Sequence, residues 1–303
     1  MELRRLIDTL QAGLLSFPVT DFAADGGFAP EPYARRIDWL VSHRPTALFA
    51  AGGTGEFFSL SRAEHAAVVA TAVEAAGGRL PIVGSAGGIL ADAVEQARAV
   101  ERAGAQGILL FPHYLVDACA EGMLAYAKAV CDAVGIGVIV YNRGDFRLDA
   151  GTLCRLAESC PNFIGVKDAT GDLELIAAIR GALGERVAYF GGLPTAELFA
   201  SAYRAAGVPT YSSAVFNFIP RTALAFFDAL VAGESKTLDR LLRDFFLPFV
   251  ALRNRRKGYA VAIVKAGVRL RGMPAGAVRP PLVDLTAAEE AELVRLIEAQ
   301  QLN

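Results

Sequence analysis

Between about residues 13 and 213, short apolar β-branched runs alternate with longer alanine-rich stretches whose apolar side chains recur every three or four positions. The short runs cover residues 14–19, 47–50, 82–84, 107–111, 137–141, 163–167, 187–190 and 209–213, and each predicts a buried strand. The stretches between them predict helices, clearest at 62–75, 90–103, 120–133 and 196–206. Such alternation is the mark of parallel β/α units, because a parallel strand pair needs a crossover and the crossover helix covers the sheet face. Gly77, Gly104, Gly135 and Gly207 stand where helical stretches end, and glycine tolerates the left-handed backbone of a helix C-cap. Eight units in series predict an α/β protein built as a closed (β/α)8 TIM barrel. No G-x-G-x-x-G follows the first run, so an open dinucleotide-binding sheet loses its main support.

After Phe216 the strand pattern stops. Helical segments are expected near 222–231, 236–255 and 259–271, then a proline-rich link at 274–281, then a last helix capped by Thr286 with Glu289 three positions on. The expected organisation is a catalytic barrel over residues 1–215 and a C-terminal helical extension over residues 216–303 packed on it.

Composition narrows the class. With 303 residues, 53% hydrophobic and 20% charged, the chain can bury a large core. A formal net charge of −2 and the lack of a basic stripe argue against nucleic acid or an anionic membrane as partner. Cys119, Cys131, Cys154 and Cys160 form no C-x-x-C and have no histidine at ligand spacing, so no metal site is expected. They read as buried or half-buried thiols of a reducing cytoplasm. Asp8, Thr9 and Gln11 interrupt the N-terminal apolar stretch, which does not read as a signal peptide, and no other stretch reads as a bilayer span.

In a barrel of this kind reactive groups come from the C-terminal ends of strands. Lys167 closes the run Ile164-Gly165-Val166-Lys167, where an apolar wall would desolvate its ammonium and release a nucleophilic amine; pairing with Asp168 or snorkelling to solvent are the alternatives. Tyr141 closes the neighbouring run and should face the same mouth, placed to carry protons. The turn Gly52-Gly53-Thr54-Gly55-Glu56 offers backbone amides and the Thr54 hydroxyl to a carboxylate, or is simply a tight loop. Arg143 is expected to hold a second carboxylate through its bidentate guanidinium, or else to pair with Asp145. Ser212, Ser213 and Asn217, after the eighth run, are candidates for substrate hydroxyls or for loop backbone. Glu56 reads as a structural partner of the glycine turn, and His113 and Asp168 as groups that order their loops.

The motifs Gly52-Gly53-Thr54-Gly55-Glu56, Tyr141-Asn142 and Gly165-Val166-Lys167-Asp168-Ala169-Thr170-Gly171 together resemble the dihydrodipicolinate synthase and N-acetylneuraminate lyase family, from about Gly13 to the C-terminus. The resemblance implies that Lys167 is the Schiff-base lysine, Tyr141 the proton relay, Gly53 with Thr54 the cradle of an α-keto carboxylate, and Gly192 the floor of the site. It also implies that Tyr114 joins the catalytic group by reaching into a neighbouring subunit, in a homotetramer built as a dimer of dimers, and that the covalent lysine replaces any cofactor. Two departures, glycine at Gly53 where a threonine is usual and Arg143-Gly144 after the Tyr-Asn pair, resemble the subgroup that acts on 5-dehydro-4-deoxyglucarate. A small 2-keto sugar acid is therefore the expected substrate, dehydrated and decarboxylated to 2,5-dioxopentanoate, CO2 and water. A pyruvate-dependent aldolase and a non-catalytic sugar-acid-binding barrel stand as rivals, whereas three scattered histidines give a metal-dependent aldolase few ligands.

Overall fold

In the computed structural model, which describes residues 2–300, the apolar runs become eight parallel strands. They are β1 (Leu15–Ser16), β2 (Ala47–Phe49), β3 (Ile82–Gly88), β4 (Gly107–His113), β5 (Gly137–Asn142), β6 (Phe163–Asp168), β7 (Ala188–Gly191) and β8 (Thr210–Ser213). Each pairs with its sequence neighbour, and β8 closes the barrel on β1 through Leu15 opposite Ser212 and Ser16 opposite Ser213. Met1 and residues 301–303, the outer ends of the two expected segments, lie outside the described residues.

Side chains alternate across the barrel wall as the period-two geometry of a strand requires. Leu15, Ala47, Phe49, Val83, Leu109, Ile139, Ile164, Ala188 and Phe190 fill the interior, whereas Leu48, Ile108, Leu110, Val138, Val140 and Val166 face the helical layer. The helix Leu3–Gln11 inserts Leu6, Ile7 and Leu10 into the interior cluster. It plugs the end at which the strands start, beneath the first residues of β4 and β5, and leaves the opposite end open for chemistry.

Several elements differ from the sequence reading for identifiable reasons. The first strand pairs over only Leu15–Ser16 because Pro18 has no amide to give to a ladder. The segment expected as one helix over 196–206 begins with a tighter turn at Ala196–Leu198 and restarts at Ala200–Ala205. The helix expected over 236–255 widens into a π-helical turn at Leu242–Phe246 just before Pro248, whose missing N–H cannot complete the regular ladder. Gly135 is not left-handed; its amide donates to the Glu101 carboxylate at 2.7 Å, while Gly77, Gly104 and Gly207 do adopt positive φ. Cys119 is exposed rather than buried. The helix Pro220–Ala232 follows β8 as the eighth helix of the barrel and lies past residue 215.

The C-terminal helices are bolted to the open end of the barrel by buried charge. Glu56, at the end of the glycine turn, accepts from Lys265 Nζ at 2.7 Å and from the Arg279 amide at 2.9 Å, with Glu56 and Lys265 both fully buried. Arg279 also pairs with Glu64, and the buried Arg36–Asp21 pair reaches the Pro274 carbonyl. The final helix, Ala287–Glu298, carries the expected capping box of Thr286 and Glu289. Among the described residues no helix is long and apolar enough to cross a membrane.

Candidate active site

Register brings the reactive groups together. Tyr141 on β5 lies directly opposite Lys167 on β6, and Lys167 opposite Phe190 on β7, so all three point into the barrel at the same height. The Lys167 amine stands 4.0 Å from the centroid of the Tyr141 ring and 5.0 Å from that of Phe17. It meets the Gly192 carbonyl at a long 3.5 Å and has the Tyr141 phenol as a further side-chain hydrogen-bond partner. Tyr141 donates to the same carbonyl at 2.9 Å. Glycine is required at 192 by space, since a Cβ there would meet Lys167 Nζ at 2.6 Å and the Asp168 carbonyl at 2.8 Å.

The pairing of Lys167 with Asp168 that the sequence left open does not form. The Asp168 carboxylate turns outward and accepts from Tyr203 Oη at 2.6 Å, from the Thr170 hydroxyl at 2.8 Å and from the Thr170 and Gly171 amides. Lys167 is 4% exposed and forms no ion pair among the described residues. Burial therefore lowers the pKa of its ammonium below the usual lysine value, against the opposing pull of Tyr141. Burial also raises the Tyr141 phenol, but the charges of Lys167 and Arg143 outweigh it and hold the phenol below its usual value. An amine that readily gives up its proton next to a phenol that readily exchanges one is the pairing that carbonyl addition and dehydration need.

These groups open onto a cavity of about 800 Å³. Lys167, Tyr141, Gly53, Thr54, Arg143, Gly192 and Ser212 all line it, beneath aromatic walls that include Phe17, Phe57 and Phe111. In the glycine turn, Ala51 and Glu56 are left-handed, and the Glu56 and Phe57 amides are spent on the Gly53 and Gly52 carbonyls. The Gly53, Thr54 and Gly55 amides donate to nothing among the described residues, a concave set of free donors suited to a carboxylate. Arg143 sits on a tight turn in which it and Phe146 exchange backbone hydrogen bonds of 3.1 and 3.2 Å, with Gly144 left-handed between them. Its guanidinium lies 5.8 Å from the Tyr141 ring centroid and pairs with no carboxylate among the described residues, Asp145 included.

Three expected site residues are placed otherwise. Asn217 does not reach the cavity: buried, it accepts from the Val19 amide at 3.0 Å and donates to the Phe17 and Ala214 carbonyls, closing the barrel between β8 and β1. Ser213 borders the cavity, but its strand register turns the hydroxyl to the helical side, where it donates to Glu197 at 2.5 Å. Tyr114 is 63% exposed and lies outside the cavity lining, next to the exposed Leu115 and Val116, so it contributes nothing to the site of its own chain.

Sequence reasoning missed Glu197, which is buried, has one oxygen without a hydrogen-bond partner among the described residues, and is pushed up to about 7 by burial. It also missed Arg253 of the C-terminal segment, which lines the cavity and donates to the Thr195 hydroxyl at 2.6 Å. Neither belongs to a local motif; only the left-handed Thr195 turn and the helix that carries Arg253 bring them near the mouth. His113 lines the cavity too, edge-on to Phe146 and Tyr126, and its buried Nε2 has no hydrogen-bond partner among the described residues.

The model of the dihydrodipicolinate synthetase family matches residues 10–300. A protein of Leptothrix cholodnii named probable 5-dehydro-4-deoxyglucarate dehydratase is 57% identical over 297 residues, 98% of each chain. One of Azotobacter vinelandii with the same name is 55% identical over 294 residues, 97% of each chain. The crystal structure of dihydrodipicolinate synthase from Bacillus clausii superposes with a TM-score of 0.89 at 26% identity, covering 98% of this chain and 100% of that one. A prophage protein of the dihydrodipicolinic acid synthase family from E. coli K12, solved in complex with pyruvate, gives a TM-score of 0.84 at 25% identity over 96% of this chain and 99% of that one.

Proposed function

The chain belongs to the dihydrodipicolinate synthetase family, and from that premise we propose that it is a class I Schiff-base lyase, a 5-dehydro-4-deoxyglucarate dehydratase releasing 2,5-dioxopentanoate, CO2 and water. The observation that carries the chemistry is the buried Lys167 amine, which faces the cavity beside Tyr141 without a carboxylate partner among the described residues. The relatives' shared name carries the substrate.

In this reading the free amides of Gly53 and Thr54 hold the α-keto carboxylate and the neutral Lys167 amine adds to the ketone. Tyr141, anchored on the Gly192 carbonyl, carries protons as water leaves and the iminium forms. The iminium acidifies the adjacent methylene; loss of that proton gives an enamine, which expels the hydroxyl one carbon further on. The conjugated iminium then accepts the electron pair released when the far carboxylate leaves as CO2. Protonation of the resulting dienamine at carbon, tautomerisation of its enol to the aldehyde and hydrolysis of the imine return the lysine. Arg143 holds the distal carboxylate before it departs, and Ser212 faces the hydroxyl-bearing carbons. No cofactor beyond the covalent lysine enters these steps.

Tyr114, Leu115 and Val116 form an exposed apolar edge beside the cavity mouth, which supports a homotetramer, built as a dimer of dimers, in which Tyr114 serves a neighbouring subunit's site. Cytoplasmic location is part of the same reading and rests on the unpaired thiols. The test of function is a product assay with the purified chain and 5-dehydro-4-deoxyglucarate. CO2 with 2,5-dioxopentanoate is expected; free pyruvate would make the chain an aldolase, and binding without turnover a sugar-acid-binding barrel.

A further inference from the structure

The three glycines of the turn after β2 are there for different reasons. A Cβ on Gly52 would sit 2.5 Å from the Phe17 ring, and one on Gly55 3.0 Å from the Pro18 carbonyl, so both are packing glycines. Gly53 has neither constraint. Its φ is not in the left-handed region, and within 4 Å its Cβ would meet a single group, Arg143 Nη1, at 3.9 Å. That distance is ordinary contact for a methyl group, but an atom one bond further out, in the rotamer turned toward Nη1, would claim the space of the guanidinium. Arg143 reaches this point from the far side of the mouth, projected from the Arg143–Phe146 turn, and Asp145 does not draw it away.

We propose that Gly53 is a specificity-determining position, its missing side chain being the seat of the Arg143 guanidinium opposite the Lys167 amine. The inference rests on the diacid reading above and deepens it. With the seat open, the amides of the turn and the guanidinium face one cavity together and serve the two carboxylates of one short substrate. With the seat filled, Arg143 is displaced toward solvent and the site loses its cation for the second carboxylate, while Lys167 and Tyr141, held from β5 and β6, stay where they are.

Steady-state kinetics on 5-dehydro-4-deoxyglucarate test this through Gly53→Ala, Gly53→Ser and Gly53→Thr, each alone and with Arg143→Ala. Alanine, whose Cβ would only touch Nη1 at 3.9 Å, is expected to lower kcat/KM less than threonine does. Threonine is expected to lower kcat/KM by about tenfold or more, mainly through KM, as loss of a charged hydrogen bond does. In the Arg143→Ala background the same threonine is expected to cost less than about twofold, because the group it displaces is already gone. Serine, with one γ atom, gives the same comparison should threonine fail to fold. Full additivity of the two substitutions, or a Gly53→Thr enzyme with wild-type KM, overturns the assignment. A wild-type chain that leaves the diacid unconverted overturns the functional reading itself, and the seat with it, so the two failures are told apart by the wild-type rate.

Discussion

Two lysines of this barrel are buried to almost the same degree and face opposite tasks. Lys167 is 4% exposed and Lys265 0%, and each amine lies 4.0 Å from the centroid of an aromatic ring, Tyr141 for one and Phe22 for the other. In both, burial pushes toward the neutral amine. They differ in what answers that push. Lys265 donates to the Glu56 carboxylate at 2.7 Å and to the Ala277 carbonyl at 2.9 Å, so its charge is neutralised and hydrogen-bonded. Among the described residues Lys167 finds the distant Gly192 carbonyl and the Tyr141 phenol but no carboxylate, because Asp168 spends its oxygens on Tyr203, Thr170 and Gly171. Burial alone does not make a lysine a nucleophile; burial with the nearest carboxylate kept occupied elsewhere does.

The contrast breaks most directly at the lysines. Lys167→Ala should lower turnover by about four orders of magnitude or more, since no other group supplies the electron sink, while the melting temperature holds or rises because a buried amine without an ion-pair partner among the described residues has been removed. A clear fall in melting temperature would give Lys167 a structural role. Lys265→Met should do the reverse, costing about 3–5 kcal/mol in denaturant unfolding by leaving Glu56 buried and unpaired. Adding Glu56→Gln should restore part of that loss; no restoration would mean that the pair is not what ties the C-terminal helices to the turn.

Glu197 is the acidic counterpart of Lys167, a buried group without an ion-pair partner among the described residues. Burial raises it from 4.5 to about 7, so between those values the folded chain binds a proton that the unfolded chain releases. Its contribution to stability is complete below about pH 4.5 and is lost as pH rises through about 7, by about 3 kcal/mol in all. Melts of wild type and Glu197→Gln should diverge in slope between about pH 4.5 and 7, the variant being flatter by about that amount; parallel curves would show that Glu197 stays charged.

Arg143 gives the smallest effect. Arg143→Ala should raise KM for the diacid about tenfold and move the pH midpoint of imine formation slightly upward, because the guanidinium helps to hold Lys167 below its usual value. A downward move would contradict that sign.

What was legible in the sequence follows the same division. Lys167, Tyr141 and the glycine turn were readable because each ends an apolar run, and barrel geometry sends strand ends to one mouth. Ser213 was misread because its role depends on parity: opposite Ser16 it points to the helices, whereas Ser212, opposite the inward Leu15, points to the cavity. Asn217 looked like a rim group because its three backbone partners on both sides of the β8–β1 seam could not be foreseen. The Lys265–Glu56 pair spans 209 positions and carries no local pattern, so Glu56 was read as structural without its partner. Tyr114 was placed by resemblance alone, and one chain gives it nothing to act on.

The claim that all else depends on is that Lys167, and not Lys265, is the amine that bonds to substrate. The direct test is borohydride reduction in the presence of pyruvate, followed by mass mapping of the modified peptide. One adduct is expected, on the peptide that contains Lys167, with the Lys265 peptide unmodified; an adduct on any other lysine, or none on Lys167, would overturn the assignment.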